Sequence, residues 1–136
     1  QIMSINFVTL TAIFIGGGAG SVARALLGAG VNKLASSGNN LGPAMAPLGI
    51  LAANVIATGL LAALIIYGGA KWDRDSIWMP LLAVGFCGGF STFSTFSIDT
   101  LRLFQEGNNI WALANILVSV LACLAVGWVV FKVWAK

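Results

Sequence analysis

Long apolar stretches separated by short polar ones set the pattern of this chain. Four of them can cross a membrane core about 30 Å thick as helices rising about 1.5 Å per residue: about 5–34, 48–67, 77–105 and 110–133. Between the first two lies Ser36 to Pro47, rich in Gly, Ser, Asn and Pro, whose prolines are expected to stop a helix. Gly68 to Ser76 gathers Lys71, Asp73, Arg74 and Asp75, with Trp72 and Trp78 as interfacial anchors. The whole chain, 1–136, therefore reads as a single four-span transmembrane domain.

Each span carries small or polar residues along one stripe. In the first, Gly16 and Gly20 sit at i and i+4, and Arg24 continues the stripe. By helical rise Arg24 lies about 27 Å from Asn6, near the far boundary. It is either a snorkelling anchor or a cation at the mouth of an anion path. The glycines faintly echo a dinucleotide fingerprint, but Ser21 takes the third glycine position and no strand or acidic partner follows. In the second span Asn54 and Thr58 are one turn apart, and in the fourth Asn115 and Ser119 are. Hydrogen bonds between packed helices can account for both pairs, which leaves a further role for Asn54 open.

The third span is the most unusual. Gly88 lies roughly 17 Å from Ile77, near mid-core, inside Gly85-Phe86-Cys87-Gly88-Gly89-Phe90-Ser91-Thr92-Phe93-Ser94-Thr95-Phe96-Ser97. Glycine is a poor helix former and hydroxyls compete for backbone bonds, so this run invites a break at mid-membrane. Such a break is tolerated inside protein or beside a cavity, where freed carbonyls and half-helix ends can hold ions. Gly85 and Gly89 also form a G-x-x-x-G pair, which serves close packing alone. Packing and an ion or solute path both remain open on these residues.

Composition narrows the class. The chain is 59% hydrophobic and 8% charged, against about 25% charged in soluble domains. It reads as an all-α integral membrane protein, whose four spans are expected to leave no room for a soluble catalytic domain. A net charge of +3, scattered along the chain, excludes nucleic acid as a partner. With no histidine, Cys87 and Cys123 make no zinc site and read as packing residues. No nucleophile and base can be paired without His or an intramembrane acid, so the chain is not expected to be an enzyme. The Ile5 to Ile15 run lacks the basic flank of a signal peptide. Lys71, Arg74, Lys132 and Lys136 fall on one side of the membrane, and Arg24, Lys33 and Arg102 on the other. That balance leaves orientation undecided, and a chain inserting both ways can form antiparallel dimers. The dimer's twofold axis would cross the midplane at the depth of Gly88.

Three of these motifs together resemble the Fluc (CrcB) fluoride channel family. Gly16 to Arg24 resembles its GG-x-x-G-x-x-x-R, Gly49 to Asn54 its G-T-L-x-x-N, and Gly85 to Phe96, the most specific, its signature for the break in the third span. The resemblance implies a dual-topology antiparallel homodimer, or a heterodimer with a paralogous chain, in a cell (inner or plasma) membrane. It further implies two fluoride pores and a central structural sodium ion. By motif position Phe93 and Phe96 are the pore phenylalanines, Asn54 a pore amide, and Ser94 and Thr95 part of the polar track. Ser119 joins the anion pathway. Arg24 stands in the vestibule, and the backbone carbonyls of Gly88 and Ser91 hold the sodium. Ser91 stands for the usual Thr, Ile50 for the Thr of the second motif, Ala25 for the Tyr after Arg, and Cys123 for a common Gly.

The chemistry is compatible. Fluoride is strongly hydrated, so a pore must replace its water with donors such as amides and hydroxyls, and ring edges supply further positive potential. A small multidrug-type proton-coupled exporter is the main rival, but the first span lacks the embedded acid it needs. A nonconducting assembly protein is the other.

Overall fold

Asn6 starts the first helix: its backbone is extended, and its side-chain oxygen accepts from Thr9 N–H at 2.8 Å, satisfying one donor that a helix start leaves free. From there the computed structural model, which describes residues 5–37, 45–73 and 75–134, is all-helical. Helix α1 spans Phe7–Ser36 and α2 spans Met45–Lys71. A π-helix, Met79–Cys87, runs on into the short α3, Gly88–Phe90; α4 covers Phe93–Gln105 and α5 Asn109–Trp134. Arg74, Lys136 and residues 38–44 of the first connector lie outside the described residues. Among the described residues four segments are long and apolar enough to cross a membrane: Phe7–Leu34, Pro47–Lys71, Met79–Gln105 and Asn109–Trp134.

Pro47 does not stop a helix; it sits in the first turn of α2. Backbone N–H groups there have no intrahelical acceptor, so the missing proline donor costs little. Gly88 is also helical, at φ −65° and ψ −38°. The extended residues of the third segment are Ser91, with ψ 156°, and Thr92, with φ −154° and ψ 120°.

Helix α1 crosses the π-helix and α3, while α5 packs on α2 and α4. The α1 crossing is a glycine contact. A Cβ on Gly16 would collide with the Leu81 carbonyl, one on Gly20 with the Phe86 carbonyl, and one on Gly89 with the Gly17 carbonyl. The two G-x-x-x-G pairs are thus opposite sides of one interface, where backbones approach closely. Elsewhere the interior is mainly alanine: Ala53 and Ala57 form a buried cluster with Phe90, flanked by Ala23, Leu27 and Phe86. Large apolar side chains such as Phe7, Phe14, Ile110 and Trp128 point outward.

Helix α4 ends in a Schellman turn. Asn108 N–H donates to Leu103 O at 2.8 Å and Gly107 N–H to Phe104 O at 3.1 Å, with Gly107 at φ 79°. Only glycine takes that left-handed position without a steric cost, and the turn reverses the chain into α5.

Candidate functional site

The site grows from the two extended residues. Ser91 leaves the helix with ψ 156°, which turns Thr92 N–H away from Gly88 O, its acceptor in a continued helix. Asn54 on α2 receives it: Oδ1 accepts from Thr92 N–H at 2.7 Å, and Nδ2 donates to Thr92 O at 3.2 Å. One side-chain amide thereby satisfies both backbone groups of an extended residue, as a neighbouring strand does in a sheet. The Thr58 hydroxyl, one turn on, donates to Asn54 O at 2.7 Å.

Thr92 then caps α4. Its Oγ1 accepts from Thr95 N–H at 3.3 Å and lies 3.1 Å from Thr95 Oγ1 and 3.2 Å from Ser94 Oγ. Ser91 N–H and Oγ both donate to Cys87 O at 2.9 Å, closing the last turn before it. Helix α1 holds that side: Arg24 Nη1 donates to Ser91 O at 3.1 Å and Ser21 Oγ to Gly89 O at 3.4 Å. The Arg24 guanidinium offsets the negative carbonyl end of the helix before Ser91, and the start of α4 brings positive potential to the other side of the extended pair.

A cleft of about 350 Å³ opens beside them. Asn54, Thr58, Ser91, Thr92 and Ser119 supply its polar wall, Phe93 and Phe96 its aromatic wall, and Val120, Cys123 and Leu124 the rest. The two rings lie 5.6 Å apart at 41°, and Phe93 is 79% exposed in the single chain. Among the described residues no carboxylate lines the cleft.

Asn54, Phe93, Phe96 and Ser119 of the expected anion pathway therefore meet at one cleft. Ser94 and Thr95 do not line it; their hydroxyls face Thr92. Arg24 is tied to Ser91 O on the α1 side. Thr58 and Thr92 also line the cleft, although sequence reasoning did not place them in the site. Thr58 was marked by its spacing from Asn54; Thr92 was not, although threonine is a common residue at a helix start. Among the described residues no group of three His, Cys, Asp or Glu could hold a metal. A cation here would depend on carbonyl oxygens, which are hard donors, and that of Ser91 already accepts from the Arg24 guanidinium at 3.1 Å. Gly88 is exposed, with nothing within 4 Å of where a Cβ would sit, and Thr92 N–H is engaged by Asn54.

The family described as CrcB-like protein, Camphor Resistance (CrcB), matches residues 11–131. A relative named fluoride-specific ion channel FluC from Escherichia fergusonii is 42% identical over 131 residues, 93% of each chain. One of the same name from Klebsiella pneumoniae is 37% identical over 130 residues, 96% of each. A third, from Escherichia coli O139:H28, is 42% identical over 116 residues, 85% of each. With the family matching nearly its whole length, this chain belongs to the CrcB-like family.

Proposed function

We propose that the chain forms a fluoride-selective channel, as its relatives are named, and that fluoride leaves the cell through it passively. The observation that carries this reading is the cleft, where an amide, hydroxyls and two phenylalanines converge without a carboxylate. A small, strongly hydrated anion needs donors in place of water. Asn54 Nδ2 has a second hydrogen beyond its bond to Thr92 O, and the first-turn N–H groups of α4 point toward the same end. The edges of Phe93 and Phe96 offer positive potential without charge-assisted holding, so the ion can also leave. Ser94 and Thr95 continue the polar track along α4, and Arg24 raises the local anion concentration at the vestibule.

The working unit in this proposal is an antiparallel homodimer in the cell membrane, its third span broken at mid-depth. The exposed Gly88 edge is where the second copy would meet the first. There the carbonyls of Gly88 and Ser91 would hold a structural sodium ion, which would supply positive charge to two carbonyl-rich helix ends. Ser91 O has a second lone pair beyond its bond from Arg24.

Purified protein in liposomes loaded with potassium fluoride should release fluoride when a potassium path is opened, and hold chloride under the same gradient. An intact, folded preparation that retains its fluoride would overturn the reading.

A further inference from the structure

A second polar array lies behind the cleft. Ser119 Oγ donates to Asn115 Oδ1 at 3.3 Å, Asn115 Nδ2 to Thr100 Oγ1 at 2.8 Å, and Thr100 Oγ1 to Phe96 O at 2.8 Å. All three side chains are buried, and the array joins α5 to α4. Both of its ends, Ser119 and Phe96, line the cleft. Every donor points the same way, from Ser119 toward the Phe96 carbonyl. With the amide turned this way the Ser119 proton goes to Asn115, and the hydroxyl presents lone pairs to the cleft, the wrong polarity for an anion.

Asn115 is the one group that can reverse this. A half-turn of its amide exchanges oxygen and nitrogen, so that Nδ2 donates to Ser119 and Oδ1 accepts from Thr100. Thr100 swings its hydroxyl from Phe96 O to Asn115, and Phe96 O keeps the backbone bond that α4 gives it from Thr100 N–H. No buried group loses its last partner in either polarity, so the two lie close in energy and a weak ligand can choose between them.

Resting on the fluoride-channel reading above, we infer that Asn115 is a positioning residue whose amide turns over when an anion stands beside Ser119, freeing the Ser119 proton to donate to that anion. Donating while accepting from Asn115 also polarises the hydroxyl and strengthens the bond.

The test uses the full chain in liposomes, labelled with ¹⁵N-asparagine. The Asn115 side-chain amide resonance, identified by its loss in Asn115→Leu, should shift with sodium fluoride but not with sodium chloride, and the shift should vanish in Ser119→Ala. In efflux, Asn115→Leu leaves the Ser119 proton to its own helix carbonyl one turn back. That variant and Ser119→Ala should each lower fluoride flux by about tenfold, the worth of one hydrogen bond. The double variant should fall by about tenfold as well, because both act through one proton. Additive losses of about a hundredfold, or an amide silent to fluoride in a conducting parent, would sink the relay and leave the channel intact. A folded parent that passes no fluoride would remove the channel reading itself, and the relay with it.

Discussion

Asn54 spends both ends of its amide on Thr92, so its side chain sets backbone geometry as well as cleft chemistry. Asn54→Leu should cost about 1–3 kcal/mol by leaving Thr92 N–H and C=O unpaired, read as lowered thermal stability. Flux per folded protein should fall with it, because α4 would no longer start where Phe93 needs it to. Phe96 separates packing from ion contact. Phe96→Ile should cost about 1.5 kcal/mol or less as a hydrophobic swap, yet lower fluoride efflux by orders of magnitude if the ring edge meets the ion. Near-parental efflux from well-folded Phe96→Ile protein would return the ring to the core. Much of this was legible from residue type and depth: an amide, hydroxyls and phenylalanines where lipid excludes water. The partner of Asn54 was not. Glycine's helix penalty of about 1 kcal/mol and the competing hydroxyls marked the whole run from Gly85 to Ser97; which of its residues are extended, Ser91 and Thr92, is set by a cap at Thr95 and a bracket from another helix.

Among the elements, the glycine contact between α1 and the π-helix decides whether the third span can sit where Asn54 and Arg24 reach it. Gly20→Ala would drive a methyl into the Phe86 carbonyl, and backbone cannot step aside as a side chain can. A loss of about 1–3 kcal/mol is expected, with helices forced apart. Gly18, two residues earlier, has nothing within 4 Å of a Cβ. Gly18→Ala should be neutral or stabilise by up to about 1 kcal/mol through helix propensity. Paired thermal melts of the two variants in detergent check this; equal losses would refute the contact. The spacing of Gly16, Gly20, Gly85 and Gly89 was visible in the sequence, but not that the two pairs face each other. Pro47 shows the opposite limit: proline stops a helix by lacking a donor, and in a first turn the donor is not needed.

For the whole molecule, orientation is the open variable that the proposal depends on. Adding two or three lysines to one terminus should force a single topology. If assembly is antiparallel, that variant alone should lose fluoride efflux and regain it when an oppositely biased copy is co-expressed; full activity alone would argue for parallel or monomeric function. The sequence carried this question as a nearly even split of Lys and Arg, which fixes no direction by itself.

The interior of alanine and glycine beneath an outer layer of large side chains inverts the usual map of tolerated change. In a water-soluble domain, a large buried residue resists substitution and the surface accepts almost anything polar. Here Phe14, Leu26, Leu121 and Trp128 face outward, where one apolar side chain can replace another at little cost and a charge cannot enter. Ala53 and Ala112, with no exposed surface at all, can accept neither a larger residue nor a polar one. A saturation scan of this chain should therefore show its narrowest amino-acid choice at its smallest residues.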